Sequence, residues 1–415
     1  MFYCQVFVRS KGGLTAVKEE KAMDSGYLFD CPHASECGGC TYNNIPYEIQ
    51  LEKKQGRLNG LFAQLKGYKD FKPERIMGTK CPYHYRNKVH GVFGFKNSRI
   101  ISGLYSEESH KIVNVNDCLI EDEDASGVIN AVAGLAGPFK YRAFDEDRGT
   151  GFLRHVLVRV AHSSETKKLL VVIVTALKEF PRKNDFVKAL VGRFPMIETI
   201  VWNYNPKRTS MVLSDKNTVI YGRGYIVDEM LGLKFAISAG SFYQVNHEGA
   251  EKMYMLAKEF AHLTGKERVL DAYCGTGTIG MLMCDRAESV LGVELNETAV
   301  KDAIFNKKLN KIGNYRVICA DATEFIEGLK DKNAFDVVIM DPPRAGSTPG
   351  FIDSVIKSGV KRVVYISCDP ETLVRDLKLF INGGFILEKA VPIDMFPGTG
   401  HIETVTLLQR HERKP

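Results

Sequence analysis

The carboxyl half of the chain alternates short aliphatic strands with helical patterns, and this alternation restricts the fold more than any other feature. From about Val269 onward, helical patterns follow each of the stretches "RVLDAY", "SVLGVEL", "FDVVIM" and "RVVYIS". Strands that alternate with helices in this way indicate a doubly wound, mainly parallel sheet. Such a sheet binds its ligands at the carboxyl ends of its strands, so we expect the functional residues there.

The first turn of the predicted sheet is rich in glycine. "VLDAYCGTGTIG" places Gly275, Gly277 and Gly280 in a G-x-G-x-x-G pattern between a strand and a helix, and Glu294 ends the next strand. The glycines let the backbone approach a ligand, and the carboxylate can accept hydrogen bonds from ribose hydroxyls. Since NAD and S-adenosylmethionine both carry an adenosine, this loop alone fits either of them. A tight turn without a ligand is the remaining alternative.

Two later strand ends carry chemically active residues. "FDVVIMDPPRAG" places Asp341 at a strand end before two prolines, which could also act only as helix blockers, and "YISCDPETLVRD" places Cys368 at the next strand end. A rigid acidic loop has no obvious task in a dehydrogenase and is similar to the corresponding loop of nucleic-acid methyltransferases. A thiol beside the start of a helix is expected to favour the thiolate, which is the nucleophilic form. We interpret Cys274, Cys284 and Cys319 as inert thiols.

A second group of thiols lies near the amino terminus, where "DCPHASECGGC" contains three of the ten cysteines. No signal peptide and no long apolar run is recognisable, so we expect a cytoplasmic protein, in which clustered cysteines bind metal more often than they form disulfides. A tetrahedral zinc site or an iron–sulfur cluster requires a fourth ligand, and spacing alone leaves both open. The three cysteines are Cys31, Cys37 and Cys40, and the candidates for the fourth ligand are Cys4, His33, Cys81 and Cys118.

The 415 residues are sufficient for two or three domains, each with its own core. Residues 1–70 contain the cysteines and one amphipathic helix, residues 71–237 show a mixed, largely antiparallel α+β pattern, and residues 238–415 form the α/β domain. The net charge of +6 permits a polyanionic partner without requiring one.

Several motifs in order now carry a resemblance. "FYQVN", "DAYCGTGTIG", "DPPRAG", "YISCDPETLVRD" and "GHIETVTLL" together resemble the RNA 5-methyluridine methyltransferase family, over almost the whole chain from Cys31 to Leu408. The resemblance implies a class I S-adenosylmethionine-dependent methyltransferase domain in the carboxyl half and a smaller RNA-contacting domain before it. It also implies S-adenosylmethionine as methyl donor and uridine in structured RNA as substrate.

The chemistry of this family explains two of the candidate residues. Carbon 5 of uracil is too weak a nucleophile to take the methyl group directly, so a thiolate, here Cys368, first adds at carbon 6. By similarity, Glu403 is the base that later removes the carbon 5 proton. A flipped uridine is expected to stack on aromatic side chains, for which Phe242, Tyr243 and Phe396 are candidates. The resemblance and the loop motif place the methyl donor among Gln244, Tyr273, Gly275, Glu294, Asp321 and Asp341.

The cysteines refine the resemblance. The branch of the family that methylates 23S ribosomal RNA carries a [4Fe–4S] cluster on such a pattern, which makes Cys118 the fourth ligand and leaves Cys81 as a spare thiol. We therefore expect 23S ribosomal RNA as the partner of a monomer that does not bind membranes. Many members begin with an RNA-binding β-barrel, for which the residues before Cys31 are too few, so the middle region is expected to grip RNA. Its candidates are Arg86, Lys88, Lys96, Arg99, Arg142, Arg154 and Arg159.

Four rival functions stay open at this point. The chain could methylate the transfer-RNA uridine of the other branch, or it could methylate a different atom without using Cys368. It could also be an RNA-binding module that lacks catalysis, in which case it would not bind S-adenosylmethionine. A nicotinamide oxidoreductase that uses the cluster for electron transfer is the last rival, and it would bind NAD.

Overall fold

The computed structural model describes residues 7–10, 13–16 and 27–411, apart from 69, 98, 108, 163–165 and 208–210. The candidate ligand Cys4 lies outside these residues. The prediction that a complete amino-terminal β-barrel is lacking concerns the residues before Cys31, and most of these also lie outside the described residues. Within the described part, two seven-stranded sheets form the body of the protein, and two pairs of antiparallel strands accompany them.

The amino-terminal part contains one strand pair and two helices. Strands β1 (Phe7–Ser10) and β2 (Gly13–Ala16) are antiparallel, and the short helix α1 (Ala34–Cys37) precedes the longer α2 (Tyr47–Phe62). The predicted amphipathic helix is therefore present. Its apolar side buries Leu58 and Phe62 in the core of the carboxyl-terminal sheet.

The first large sheet has the strand order β5-β4-β3-β6-β7-β8-β9. Its neighbours are antiparallel except β7 and β8, which run parallel because α4 connects them. Buried residues of α3 and α4 cover one face of this sheet. The elements are β3 (Lys88–Lys96), β4 (Arg99–Tyr105), β5 (Ile112–Asn114), α3 (Glu123–Ala136), β6 (Leu153–His162), β7 (Lys167–Thr175), α4 (Lys183–Arg193), β8 (Ile197–Tyr204) and β9 (Asn217–Tyr221).

A two-stranded ribbon, β10 (Tyr225–Met230) and β11 (Leu233–Ser238), follows the first sheet. Its two-residue turn consists of Leu231 and Gly232, which both have positive φ, as a tight hairpin turn of this kind requires. Buried residues of the ribbon join residues of both large sheets in one continuous apolar core. The two sheets are therefore packed together rather than connected by a loose linker.

The second large sheet has the order β14-β13-β12-β15-β16-β18-β17. The first five strands are parallel and β18 is antiparallel to both of its neighbours, which confirms the predicted doubly wound, mainly parallel sheet. Its strands are β12 (Arg268–Ala272), β13 (Ser289–Glu294), β14 (Tyr315–Cys319), β15 (Val337–Met340), β16 (Arg362–Ser367), β17 (Phe385–Ile393) and β18 (Glu403–Arg410).

Six helices accompany this sheet. They are α5 (His247–Phe260), α6 (Thr278–Met283), α7 (Glu297–Leu309), α8 (Ala322–Glu327), α9 (Pro349–Lys357) and α10 (Pro370–Asn382). All four residues of β15 are fully buried, as expected of a parallel strand that is covered on both faces. Among the described residues, no helix combines the length and apolar character needed to cross a membrane.

Candidate active site

A cavity of about 1430 Å³ opens at the carboxyl ends of the parallel strands. The loops that follow parallel strands meet at one edge of a sheet, so residues far apart in the sequence come together there. All eight residues proposed for catalysis and for donor binding line this cavity: Gln244, Tyr273, Gly275, Glu294, Asp321, Asp341, Cys368 and Glu403. The structure thus brings the full predicted set into one site.

The strand register places the two proposed catalytic residues next to each other. Ser367, the last residue of β16, pairs with Thr404 of the antiparallel β18. One step outward from this pair are Cys368 and Glu403. Asp341 follows the neighbouring strand β15, so a thiol and two carboxyl groups occupy the ends of three adjacent strands.

The charges of these groups depend on one another. Burial raises the pKa of Glu403 to about 8, and the neighbouring Asp341 charge adds to this effect while Arg344 opposes it. Burial likewise raises the pKa of Asp341 to about 7. Both carboxyl groups can therefore take up or release a proton near neutral pH, which is a property of general acids and bases.

The thiol of Cys368 is protonated at neutral pH. Burial raises its pKa to about 12, the charges of Glu403 and Asp341 raise it further, and Arg344 lowers it. The sequence predicted that the start of α10 would favour the thiolate of Cys368, and the raised pKa contradicts this prediction. The main reason is burial of the thiol, and the charges of Glu403 and Asp341 act in the same direction. At the start of α10, Asp369 accepts a hydrogen bond from the Thr372 amide at 2.9 Å.

Two further residues of the cavity were missed by the sequence reasoning. Arg344 is exposed and lines the cavity, and its charge acts on both Cys368 and Glu403. Arg344 could have been found from the sequence, because it lies three residues after Asp341 in the loop that the two prolines make rigid. His401, two residues before Glu403, also lines the cavity, and its ring meets that of Phe396 edge to face at 5.8 Å.

The glycine-rich turn is held by the acidic residue predicted to bind ribose. One carboxylate oxygen of Glu294 accepts a hydrogen bond from the Gly275 amide at 3.0 Å, and the other accepts one from the Asn296 amide at 2.8 Å. Gly277 has a φ of 80°, and a Cβ there would lie 2.8 Å from the Met281 side chain. A larger residue at this position would therefore disturb the turn.

The predicted donor-binding residues also have partners within the protein. The Tyr273 hydroxyl and the Ser347 hydroxyl form a hydrogen bond of 3.1 Å. Asp321 caps α8 and accepts a hydrogen bond from the Thr323 amide at 2.8 Å. The Gln244 side chain is hydrogen-bonded to Tyr254. These contacts orient the three side chains while leaving them on the cavity wall.

Comparison with known proteins identifies the family. The profile of the tRNA (uracil-5-)-methyltransferase family matches residues 211–411. An uncharacterized RNA methyltransferase of Bacillus cereus is 37% identical over 385 residues, covering 92% of this chain and 83% of the relative. The chain belongs to the RNA uracil-5-methyltransferase family.

Two more comparisons extend this assignment along the whole chain. An uncharacterized RNA methyltransferase of Oceanobacillus iheyensis is 35% identical over 420 residues, covering 98% of this chain and 91% of the relative. The crystal structure of the tRNA (uracil-54, C5)-methyltransferase of Pyrococcus abyssi superimposes with a TM-score of 0.76 at 23% identity, covering 97% of this chain and 92% of that chain. This RNA uracil-5-methyltransferase thus has the predicted class I methyltransferase fold, preceded by a mixed α+β region.

The residues predicted to contact RNA divide into exposed and buried ones. Lys96, Arg99 and Arg142 are exposed, and Arg86 lines the cavity. For the remaining arginines, Arg154 and Arg159, the prediction is wrong because both are almost completely buried. Arg154 donates hydrogen bonds to the Glu146 carboxylate at 2.7 and 2.9 Å. Arg159 donates one to the Ser241 carbonyl. Of the aromatic residues proposed to stack on the uridine, Phe242 is 66% exposed at the cavity, whereas Tyr243 is buried.

The four cysteines proposed as metal ligands are partly buried free thiols. Cys40 and Cys118 pack against one apolar cluster, which consists of Phe29, Tyr47, Tyr85 and Ile120. Burial raises the pKa of the Cys40 thiol to about 11, and the nearby Cys31 and Cys37 raise it further. Burial, the charge of Glu121 and then that of Cys40 raise the pKa of Cys118 to about 12. The four cysteines therefore lie in one neighbourhood.

The chemistry of the four cysteines favours a metal site, whereas their arrangement in the structure does not. Four thiols are the ligands that iron–sulfur clusters and structural zinc use. In the part of the chain that the structure describes, however, no three His, Cys, Asp or Glu side chains are arranged so that they could hold a metal ion. Cys81, expected to be a spare thiol, is disulfide-bonded.

Proposed function

We propose that this enzyme transfers a methyl group from S-adenosylmethionine to carbon 5 of a uridine in RNA, with Cys368 as nucleophile and Glu403 as base. The observation that carries the proposal is the placement of these two residues on adjacent strand ends inside the large cavity. In this scheme residues 238–415 form the catalytic domain, and residues 71–237 form the RNA-contacting domain.

The wall of the cavity offers groups that suit the methyl donor. When bound, S-adenosylmethionine would supply an electrophilic methyl group on a positively charged sulfur. Carboxylates suit both the ribose hydroxyls and this positive charge. The residues proposed to hold the donor are Gln244, Tyr273, Gly275, Glu294, Asp321 and Asp341.

The proposed reaction begins at Cys368. Its proton passes to a neighbouring carboxylate, for which Asp341 is suited because its pKa is about 7. The sulfur then bonds to carbon 6 of uracil, and the electrons of the carbon 5–carbon 6 double bond move to carbon 5. Carbon 5 takes the methyl group as the bond between this group and the positively charged sulfur of the donor breaks, which leaves S-adenosylhomocysteine. Arg344 favours the anionic sulfur, because its charge lowers the pKa of Cys368.

The proposed reaction ends at Glu403. Its carboxylate removes the proton that carbon 5 still carries, the double bond forms again, and the bond between carbon 6 and sulfur breaks. The product is 5-methyluridine, the thiolate of Cys368 is released, and the proton stays on Glu403. The base is buried, with 4% of its surface exposed, and burial raises its pKa to about 8, which makes its carboxylate a stronger base than one in water.

We further propose that Cys31, Cys37, Cys40 and Cys118 hold a [4Fe–4S] cluster with a structural role. Their thiol chemistry supports this assignment, as do the packing of Cys40 and Cys118 on one apolar cluster and the nearness of Cys31 and Cys37 to Cys40. Binding would require the thiols to come closer together than they lie in the described structure. Methylation moves no electron, so the cluster would serve to shape the protein and to place RNA. Zinc is the alternative metal for a site of four thiols.

As substrate we propose 23S ribosomal RNA, on the strength of the four cysteines. Transfer RNA is the second candidate, because the matching family profile and the Pyrococcus abyssi enzyme are both named for tRNA. The enzyme is expected to act as a cytoplasmic monomer. Incubation with the methyl donor and each RNA in turn, followed by mass-spectrometric mapping of 5-methyluridine, distinguishes the two substrates. Methylation of tRNA alone would overturn the ribosomal assignment.

A covalent trap tests the mechanism. RNA with 5-fluorouridine at the target position has no removable proton at carbon 5, so the adduct should persist and map to Cys368. An enzyme that methylates ordinary RNA but forms no adduct with the fluorinated RNA would contradict the thiolate mechanism.

A further inference from the structure

The loop 394–402 joins β17 to β18 and leads directly into the proposed base, Glu403. Two of its residues, Phe396 and His401, line the cavity. Glu403 pairs with Ile393 of β17, so the strand register and the loop that closes this end of the β17–β18 pair together set where its carboxylate lies. The groups that hold the loop are accordingly part of the machinery that places the base.

A buried ion pair fixes the beginning of the loop. Lys54 of α2 and Asp394 are both completely buried, and the Lys54 ammonium lies 2.6 Å from the Asp394 carboxylate. The same ammonium donates a hydrogen bond to the Phe396 carbonyl at 3.1 Å, and the Asp394 carboxylate accepts one from the Phe396 amide at 3.1 Å. A buried ion pair contributes little net stability, so its main effect is on geometry. Here the geometry that it specifies is that of the loop.

The next contacts come from the same face of α2. Gln50 and Arg57 lie four residues before and three residues after Lys54, a spacing that places all three on one side of a helix. The Gln50 side-chain oxygen accepts a hydrogen bond from the Gly398 amide at 2.9 Å. Arg57 donates one to the Gly400 carbonyl at 3.0 Å. The polar side of α2, which its sequence pattern would assign to solvent, is therefore turned toward the catalytic loop.

The cysteine-bearing segment holds the loop from another direction. The Tyr42 amide, two residues after a proposed cluster ligand, donates to the Gly398 carbonyl at 2.9 Å, and the Tyr85 hydroxyl donates to the Pro397 carbonyl at 3.1 Å. Gly398 has a φ of 82°, and a Cβ there would lie 2.8 Å from the Phe29 ring. Phe29 and Tyr85 belong to the apolar cluster on which two of the four cysteines pack. The loop is thus held between α2 and the cysteine segment.

We propose that Lys54 is a positioning residue for the proton-removal step, and that α2 with the cysteine segment holds loop 394–402 so that Glu403 faces carbon 5. This inference rests on the proposed role of Glu403. A reacting group that is misplaced by about 1 Å can lose on the order of 100-fold in rate. The thiol of Cys368 follows β16 and not this loop, so loosening of the loop should slow proton removal and spare the addition of sulfur to uracil.

The test replaces the ion pair by apolar residues of similar size, in the double variant Lys54→Met/Asp394→Leu, which keeps the interior filled without a lone buried charge. We expect kcat to fall on the order of 100-fold while KM for RNA changes by less than about threefold. With ordinary RNA the methylated adduct on Cys368 should accumulate and be visible on a denaturing gel. With 5-fluorouridine RNA the adduct should form at nearly the wild-type rate.

Lys53→Met, at an exposed neighbouring lysine of the same helix, is the matched control and should behave like the wild type.

The outcomes separate the possible roles. Wild-type turnover without accumulation in the double variant would overturn the inference, and so would a parallel loss of turnover and of the fluorinated adduct, which indicates a general structural defect. If the wild-type enzyme itself forms no adduct, the proposed function fails and takes this inference with it.

A second variant keeps the inference testable if the double variant does not fold. Arg57→Ala, at a half-exposed residue, should show the same accumulation with a smaller loss of kcat. Glu371→Ala, which removes only the ion-pair partner of Arg57 and leaves its bond to Gly400, is the control. Absence of accumulation in Arg57→Ala would then contradict the role of α2.

Discussion

The protein contains two groups of thiols in contrasting surroundings. Cys368 stands alone at a strand end, half-buried in the wall of a large cavity, with the charges of Glu403, Asp341 and Arg344 around it. The other group consists of Cys31, Cys37, Cys40 and Cys118. Cys40 and Cys118 pack beside a cluster of aromatic and aliphatic side chains, and Cys31 and Cys37 lie near Cys40.

The difference between the two groups shows what each arrangement can do. A single thiol whose neighbours are titratable or charged can change its ionisation during a reaction cycle, as a nucleophile must. Thiols that lie near one another beside apolar side chains suit a soft cation, which would replace their protons. Position in the fold adds to the contrast, because Cys368 lines the cavity, whereas the other group lies near residues such as Tyr42 that contact loop 394–402.

The largest effect is expected from Cys368→Ala. Removal of the nucleophile should reduce methylation by about 10⁴-fold or more, because uracil is then no longer activated. Unfolding temperature and binding of the methyl donor should stay close to those of the wild type, since the side chain forms no structural hydrogen bond that we can identify among the described residues. Cys319→Ser, at an exposed thiol outside the cavity, is the matched control. A Cys368→Ala protein that still methylates RNA would favour a mechanism without a nucleophile.

The next effect is expected from Glu403→Gln, which keeps the shape of the side chain but removes the base. Turnover should fall about 10³-fold, and the adduct of ordinary RNA with Cys368 should accumulate on a denaturing gel. Turnover of this variant at the wild-type rate would exclude Glu403 as the base.

The same substitution should also change the pH dependence of stability. The pKa of Glu403 is raised in the folded protein to about 8, so the stabilisation that its protonated form provides is present at acidic pH and lost as pH rises through about 8. The amide that replaces the carboxyl group in the variant does not ionise over this range. The variant should therefore be more stable than the wild type at pH 9, by about 5 kcal/mol, and not at pH 4. Thermal unfolding at both pH values measures the difference.

Much of the catalytic side could be predicted from the sequence, because alternating strands and helices fix where the strand ends meet. Asp341 and Cys368 follow buried strands directly, so their common location follows from topology. The ionisation of Cys368 could not be predicted, since its pKa depends first on burial of the thiol and then on the two carboxyl groups that the fold places beside it. Likewise, the burial of Arg154 depends on partners from distant parts of the chain, such as the Asn205 carbonyl.

The amino-terminal side was less predictable. A helical pattern reports which residues could share a face, and α2 indeed buries Leu58 and Phe62. Whether its polar face meets water or protein depends on what packs there, and Gln50 and Lys54 prove to be buried. Spacing alone also could not show that Cys118 lies near Cys40, because the two come together through their packing on the apolar cluster. The assignment of Cys118 as fourth ligand stays a prediction.

On the metal side of the comparison, Cys37→Ala should remove one cluster ligand. We expect the purified protein to lose its brown colour, with iron content at least about tenfold lower and a smaller yield of folded enzyme. Cys284→Ser, at a partly buried thiol beside the core of the carboxyl half, is the control for the loss of any such thiol. Full iron content in Cys37→Ala would show that the ligand assignment is wrong.

The smallest effect is expected from Arg344→Met, which removes the cation and not a reacting group. Arg344 lowers the pKa of Glu403, so its loss should raise that pKa and move the rise in turnover with pH from about 8 to a higher value. At pH 7.5 turnover should fall about fivefold, since half a unit to one unit of pKa changes the ionised fraction by this order. Near pH 10 the part of the loss that comes from Glu403 should disappear, because the base is then ionised in both proteins.

Two further variants locate the cause of that effect. Arg344→Lys retains the charge and should recover most of the rate at pH 7.5, whereas Arg316→Met, at an exposed arginine of β14 outside the cavity, should leave the pH profile unchanged. If Arg344→Met lowers turnover equally at every pH, Arg344 acts on RNA binding or on the thiol rather than on the base. In that case Arg344 would not control the pKa of Glu403. What distinguishes Cys368 from the amino-terminal thiols would then be the two carboxyl groups beside it, those of Glu403 and Asp341.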